Sequence, residues 1–130
     1  MRKAKRSLEI VDGLIWISAD LVGAYGSPVT QPLVPYTGTA TTILSMDIAR
    51  GLGLKKSRKS ELYDAPQAPV KTHRVMLPSL TVLGLQKENC WVGCQVFQSR
   101  LHVPGILGLD FFLQTDLRLA FLENRIYLSW

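Results

Sequence analysis

The side chains able to do metal or thiol chemistry are few and scattered. Cys90 and Cys94 are the only cysteines, separated by Trp91-Val92-Gly93. In an extended strand they would stand about 13 Å apart, so a disulfide between them needs a bend. A zinc half-site has the closer Cys-x-x-Cys spacing and a second pair of ligands, whereas His73 and His102 are isolated. The cysteines read as free thiols in strand positions, and neither a metal nor another cofactor is expected. The formal charge of +5 is concentrated in Arg2, Lys3, Lys5 and Arg6 and in Lys55-Lys56-Ser57-Arg58-Lys59. Such clusters can contact phosphate, but aromatics for base stacking are not interleaved with them. A solvated tail over residues 1–7 and a solvated loop account for both, and nucleic acid is not the expected partner.

The elements that carry these groups read as strands. One domain over residues 8–130 is expected, since 130 residues with 47% hydrophobic content suffice for a continuous core. Asp12 and Asp20 interrupt the most apolar N-terminal stretch, so no run approaches the roughly 20 residues that span a bilayer. The basic opening is followed by a charge-broken apolar region without a small-residue cleavage site, which reads as a cytoplasmic chain. Leu8 to Val22 suits a pair of strands, and Val29 to Val34 a returning strand limited by Pro32 and Pro35. Ser45 is placed to cap a short helix through Arg50, with Asp47 in its first turn and Gly51 or Gly53 ending it. Lys55 to Pro69 predicts an exposed loop or hairpin. Val70 to Leu77 and Leu80 to Leu85 predict strands broken at Pro78-Ser79, and Cys90 to Phe97 another after a Gln86 to Asn89 turn. Ile106-Leu107-Gly108-Leu109-Asp110-Phe111-Phe112-Leu113 alternates too little for a strand and predicts a short helix entered at Gly108. A closing hairpin turns at Glu123-Asn124.

Two segments resemble the retropepsin-like aspartic proteases. In Leu33-Val34-Pro35-Tyr36-Thr37-Gly38-Thr39-Ala40-Thr41-Thr42-Ile43-Leu44-Ser45 an apolar strand enters a Thr-Gly turn and leaves through Thr-Ile-Leu-Ser into a helix. The family has Asp where this chain has Tyr36. In the second, Ile106-Leu107-Gly108 is similar to the hydrophobic-hydrophobic-Gly element beneath the active-site turn, and Leu109-Asp110-Phe111-Phe112 and a hairpin follow. The resemblance covers most of the chain. It implies an all-β, single-lobe barrel of the retropepsin-like acid protease type with one or two short helices. It also implies a homodimer, because one such lobe supplies only half a site. Arg125 to Trp130 would then resemble the dimer-forming terminus of the family, or be an ordinary core strand.

The resemblance implies aspartic proteolysis, in which two carboxyl groups share a proton and hold a water between them. A phenol keeps its proton at acidic and neutral pH, so Tyr36 cannot act as the base, and its ring crowds the water's space. Tyr36, Thr37, Gly38 and Thr39 thus form a degenerate active-site turn with no catalytic residue expected. Asp20 and Asp47 lie outside it, and Asp110 matches a structural acid of the family, grouped with Ile106, Leu107 and Gly108 under the turn. The substrate-covering flap corresponds to Ala65, Pro66, Gln67 and Ala68, where prolines replace the usual glycines and remove donors. An inactive dimeric module that holds a peptide or partner protein is the leading expectation. An active homodimeric aspartic endopeptidase is the alternative, and it requires a differently organised turn or a Tyr36 introduced by substitution.

Overall fold

Asp12 and Gly13 both take positive φ, 53° and 76°. That is the backbone of a two-residue hairpin turn whose twist matches the strands it joins. It folds β2 (Glu9–Val11) onto β3 (Leu14–Val22), as expected for this stretch, with Val11 opposite Leu14. In the computed structural model, residues 1–63, 71–97 and 103–130 are described, with 56–63 and 71–72 described by backbone alone. Ahead of this hairpin runs β1 (Lys3–Ser7). Following it are β4 (Pro28–Pro35), β5 (Ile43–Ser45), helix α1 (Met46–Gly51), β6 (Lys56–Tyr63), β7 (Lys71–Val82), β8 (Leu85–Gln95), β9 (Gly105–Leu107), the short helix α2 (Leu109–Phe112), β10 (Asp116–Ala120) and β11 (Arg125–Ser129).

Six of these strands close a barrel in the order β3-β4-β9-β5-β8-β7, the ring being completed by β7 pairing back onto β3 through Ala19 with Val82 and Leu21 with Leu80. Inward positions alternate along every strand. Leu21, Leu33, Leu44, Val75, Leu77, Val92 and Leu107 are wholly shielded, and each such side chain contributes about 1.5–3 kcal/mol of burial. Leu8, Phe111, Phe112, Ile126 and Leu128 extend this core toward a second sheet, β1-β11-β10. The fold is all-β with two short helices, as expected. Ser45 Oγ accepts from the Ile48 amide at 3.3 Å, and Gly53 takes the left-handed conformation just past the end of α1.

Three local expectations are corrected. Residues 3–7 are not a tail but β1, paired with β11 from Lys3 opposite Ser129 to Ser7 opposite Arg125. Backbone bonding recruits it while Lys3, Lys5 and Arg6 stay exposed, so only the charge is visible in the sequence. Pro78-Ser79 does not break β7, and Gln86 to Asn89 does not turn. The reversal falls at Leu83 and Gly84, both at positive φ, and the β7–β8 ladder omits the Pro78–Asn89 pair. Proline therefore sits where no donor is needed. Gly105 to Leu107, too short to show alternation, is a strand held between β4 and β5. Both cysteines lie in β8 and neither is in a disulfide, with burial pushing the Cys90 thiol up. Among the described residues no cluster of side chains could hold a metal ion, and no helix is long and apolar enough to cross a membrane.

Candidate active-site turn

The loop between β4 and β5 is built by hydrogen bonds to the segment beneath it. The Tyr36 amide donates to Leu107 O at 2.8 Å, continuing the β4–β9 pairing one residue past the strand, and the Thr39 amide reaches Tyr36 O at 3.4 Å. From below, the amides of Leu109 and Asp110 donate to Thr39 O and Ala40 O at 2.9 and 3.1 Å. The first residues of α2 thus serve as donors for the carbonyls of the turn.

Asp110 locks the two segments together. Its carboxylate accepts from the Thr42 amide at 3.0 and 3.1 Å and from Thr42 Oγ1 at 2.7 Å. Thr42 Oγ1 in turn accepts from the Gly108 amide at 3.0 Å. Thr42 is 1% exposed, so its hydroxyl has no access to water and depends on these partners. Lys87 reaches the same helix from β8, donating to Phe111 O at 2.7 Å and Asp110 O at 3.3 Å. Neither Thr42 nor Lys87 was singled out from the sequence. The buried threonine in Thr42-Ile43-Leu44-Ser45 was the available signal, since a polar residue opening an apolar strand must find a partner.

Gly108 is where α2 and the turn come closest. A Cβ there would stand 2.5 Å from Thr41 C, 2.6 Å from Thr41 O and 2.8 Å from Thr42 N, all backbone atoms that cannot swing aside. Gly108→Ala is accordingly expected to destabilise the fold by about 1–3 kcal/mol, read as a lowered midpoint in denaturant unfolding. An unchanged midpoint would mean that the turn yields freely.

The four residues of the turn differ in exposure. Thr39 is buried, Thr37 and Gly38 are exposed, and Tyr36 is 54% exposed. The Tyr36 ring folds over Gly38, whose absent Cβ would lie 2.7 Å from Tyr36 Cζ and 2.8 Å from its hydroxyl oxygen. The turn carries no carboxylate. Asp20 is on β3, accepting from Thr30 Oγ1 at 2.6 Å, and Asp47 is exposed in α1. Ile106 and Leu107 lie in β9, with Leu107 in the barrel interior. The flap positions Ala65, Pro66, Gln67 and Ala68 lie outside the described residues.

No family model and no curated protein matches the sequence. Among solved structures, the chain is similar to the crystal structure of a retropepsin-like aspartic protease from Rickettsia conorii, at a TM-score of 0.65 and 17% identity, with 99% of this chain and 92% of that one covered. The closed barrel, the turn and the helix beneath it therefore establish that this chain has the single-lobe retropepsin-like fold.

Proposed function

We propose that the chain is a catalytically inactive protein of retropepsin-like descent that pairs as a homodimer and holds an extended peptide or a partner protein. The observation that carries this reading is Tyr36. A phenol stands where acid-base chemistry on a water needs a carboxylate, and its ring occupies the space above Gly38. The nearby acid, Asp110, is engaged by Thr42 from two groups and supports the turn from behind.

The dimer would place two turns face to face. Thr37, exposed in the single chain, would be free to bond across the two-fold. Because β11 is paired on both edges within its own chain, strand pairing between protomers through this sheet would use the outer edge of β1 or β10. A single lobe offers a peptide one wall, and the second protomer supplies the other.

The unmodified chain is expected to sediment as a dimer at micromolar concentration and to leave a mixed peptide library intact from acidic to neutral pH. Cleavage blocked by a statine-type transition-state mimic would instead favour the active endopeptidase reading, with a carboxylate other than residue 36 in the site.

A further inference from the structure

A cavity of about 520 Å³ lies between the three-stranded sheet and the barrel, and none of Tyr36, Thr37, Gly38 and Thr39 lines it. Its volume is in the range that holds small molecules. One side is β3, where Ile17, Ala19 and Leu21 are buried in the core and Trp16, Ser18 and Asp20 alternate with them onto the outer face. The other side is the inner face of the small sheet, where Arg6 stands opposite the buried Ile126. Leu83 and Gly84, the turn between β7 and β8, add to the lining.

Charged groups from three strands line this cavity: Arg6 from β1, Glu9 from β2 and Asp20 from β3, all exposed to solvent. Among the described residues no ion pair joins them. Arg6 donates one guanidinium N–H to Lys5 O at 2.8 Å, and the rest of its fork stays open. Both acids are set in place by their neighbours. Asp20 is opposite Thr81 on one side and Thr30 on the other, and Thr30 Oγ1 donates to it at 2.6 Å. Glu9 is directly opposite Trp16, whose indole Nε1 donates to Val11 O at 3.1 Å and so fixes the ring. Four residues of β3 separate Trp16 from Asp20, a distance of about 13 Å. The cavity thus holds one cation and two carboxylates apart, with an indole beside one of the acids. Arg6 disfavours a ligand that is only a cation, and the two acids disfavour one that is only an anion.

We propose that this cavity binds a free basic amino acid, such as lysine or arginine. The ligand carboxylate pairs with the planar fork of Arg6, whose geometry it matches. Its two cationic groups, separated by a methylene chain, pair with Glu9 beside the Trp16 indole and with Asp20. Leu83 and Ile126 give the methylene chain an apolar wall. Charge balances as well, since one arginine and two acids leave the cavity with a single net negative charge and the ligand brings a single net positive one. The site is separate from the turn, so it stands whether or not Tyr36 disables catalysis.

The test is isothermal titration calorimetry of the full-length protein with lysine, arginine, norleucine, which lacks the side-chain cation, and cadaverine, which lacks the carboxylate. Lysine and arginine are expected to bind with sub-millimolar Kd, and norleucine and cadaverine at least tenfold more weakly. Glu9→Gln and Asp20→Asn should each weaken lysine at least fivefold, and Arg6→Gln should bring lysine down to the level of cadaverine while leaving cadaverine no weaker than before. The three side chains are exposed, and the Gln and Asn replacements of the acids keep an acceptor oxygen, so circular dichroism should be unchanged. Should a variant fail to fold, the ligand series on the unmodified protein decides alone. Cadaverine binding as tightly as lysine overturns the proposal by showing a site for simple cations, and norleucine binding as tightly overturns the selection of a basic side chain. Absence of binding by all four ligands at millimolar concentration overturns the site itself.

Discussion

Tyr36→Asp is expected to give an acid endopeptidase, where the unmodified chain is expected to leave peptides intact. The backbone needed to present a side chain at this position is in place, because the Tyr36 amide is fixed by Leu107 O and the turn is held from below by Leu109, Asp110 and Gly108. The substitution removes a ring that lies over Gly38 and installs a carboxyl group in the same place. In a dimer it does so twice. Two close carboxyl groups push their ionisations apart, so that one is protonated and the other is not. They can then activate a water and protonate the leaving nitrogen. Acid-base participation of this kind is worth about 10²–10⁴ in rate for each group, so the gain over the unmodified chain should be on the order of 10³ or more. Activity should be highest at acidic pH and should vanish in the presence of a statine-type inhibitor. If both proteins dimerise and neither cuts, the cleft has changed beyond residue 36, and the protein is a binder without a recoverable active site.

Much of the fold could be read from residues whose local chemistry is decisive. Ser45 and Glu123-Asn124 announce a cap and a turn, and elements start or end there. What the sequence hid had non-local causes. Leu83 is an apolar residue at positive φ, and no preference of leucine predicts that conformation. Pro78 looks like a strand breaker until the partner strand is known, because only the ladder reveals a place where its missing donor is not required. The charges of β1 suggested a tail, yet its pairing depends on backbone groups that every sequence has. The site divides in the same way. Tyr36 and Gly108 stand out by motif, whereas Lys87 joins the site only once β8 brings it against the carbonyls of Asp110 and Phe111.

Strand pairing also separates two properties that a shared fold might be thought to tie together. The Asp110, Thr42 and Gly108 bonds involve no side chain of the turn's first residues. The scaffold therefore does not depend on which side chain stands at position 36, and substitutions in the scaffold should act on stability whether that residue is Tyr or Asp.

Asp110→Ala is expected to be the most destabilising single change in the site, by about 3 kcal/mol or more. It removes an ionised acceptor of three contacts, and hydrogen bonds to charged groups are worth about 1.5–3 kcal/mol. It also strands the amide of Thr42, a residue 1% exposed, with no water to replace the carboxylate. For a domain of this size the loss corresponds to a fall in Tm of roughly 10 °C. Thr42→Val should cost less, about 1–3 kcal/mol, because Asp110 keeps its bond to the Thr42 amide while the Gly108 amide loses its acceptor. Thr42→Ser, which retains the hydroxyl, should recover most of that. Since the two side chains act through one bond, the double variant should be less damaged than the sum of the singles by about 1 kcal/mol. Strict additivity would show that Asp110 and Thr42 stabilise the turn independently. Full coupling would mean that the carboxylate works mainly through the threonine hydroxyl, fixing β5 and α2 as one unit beneath Tyr36. In the Tyr36→Asp background, Asp110→Ala should then abolish the acquired cleavage at temperatures where the protein remains folded, because the new carboxyl group would sit on a turn whose support has gone.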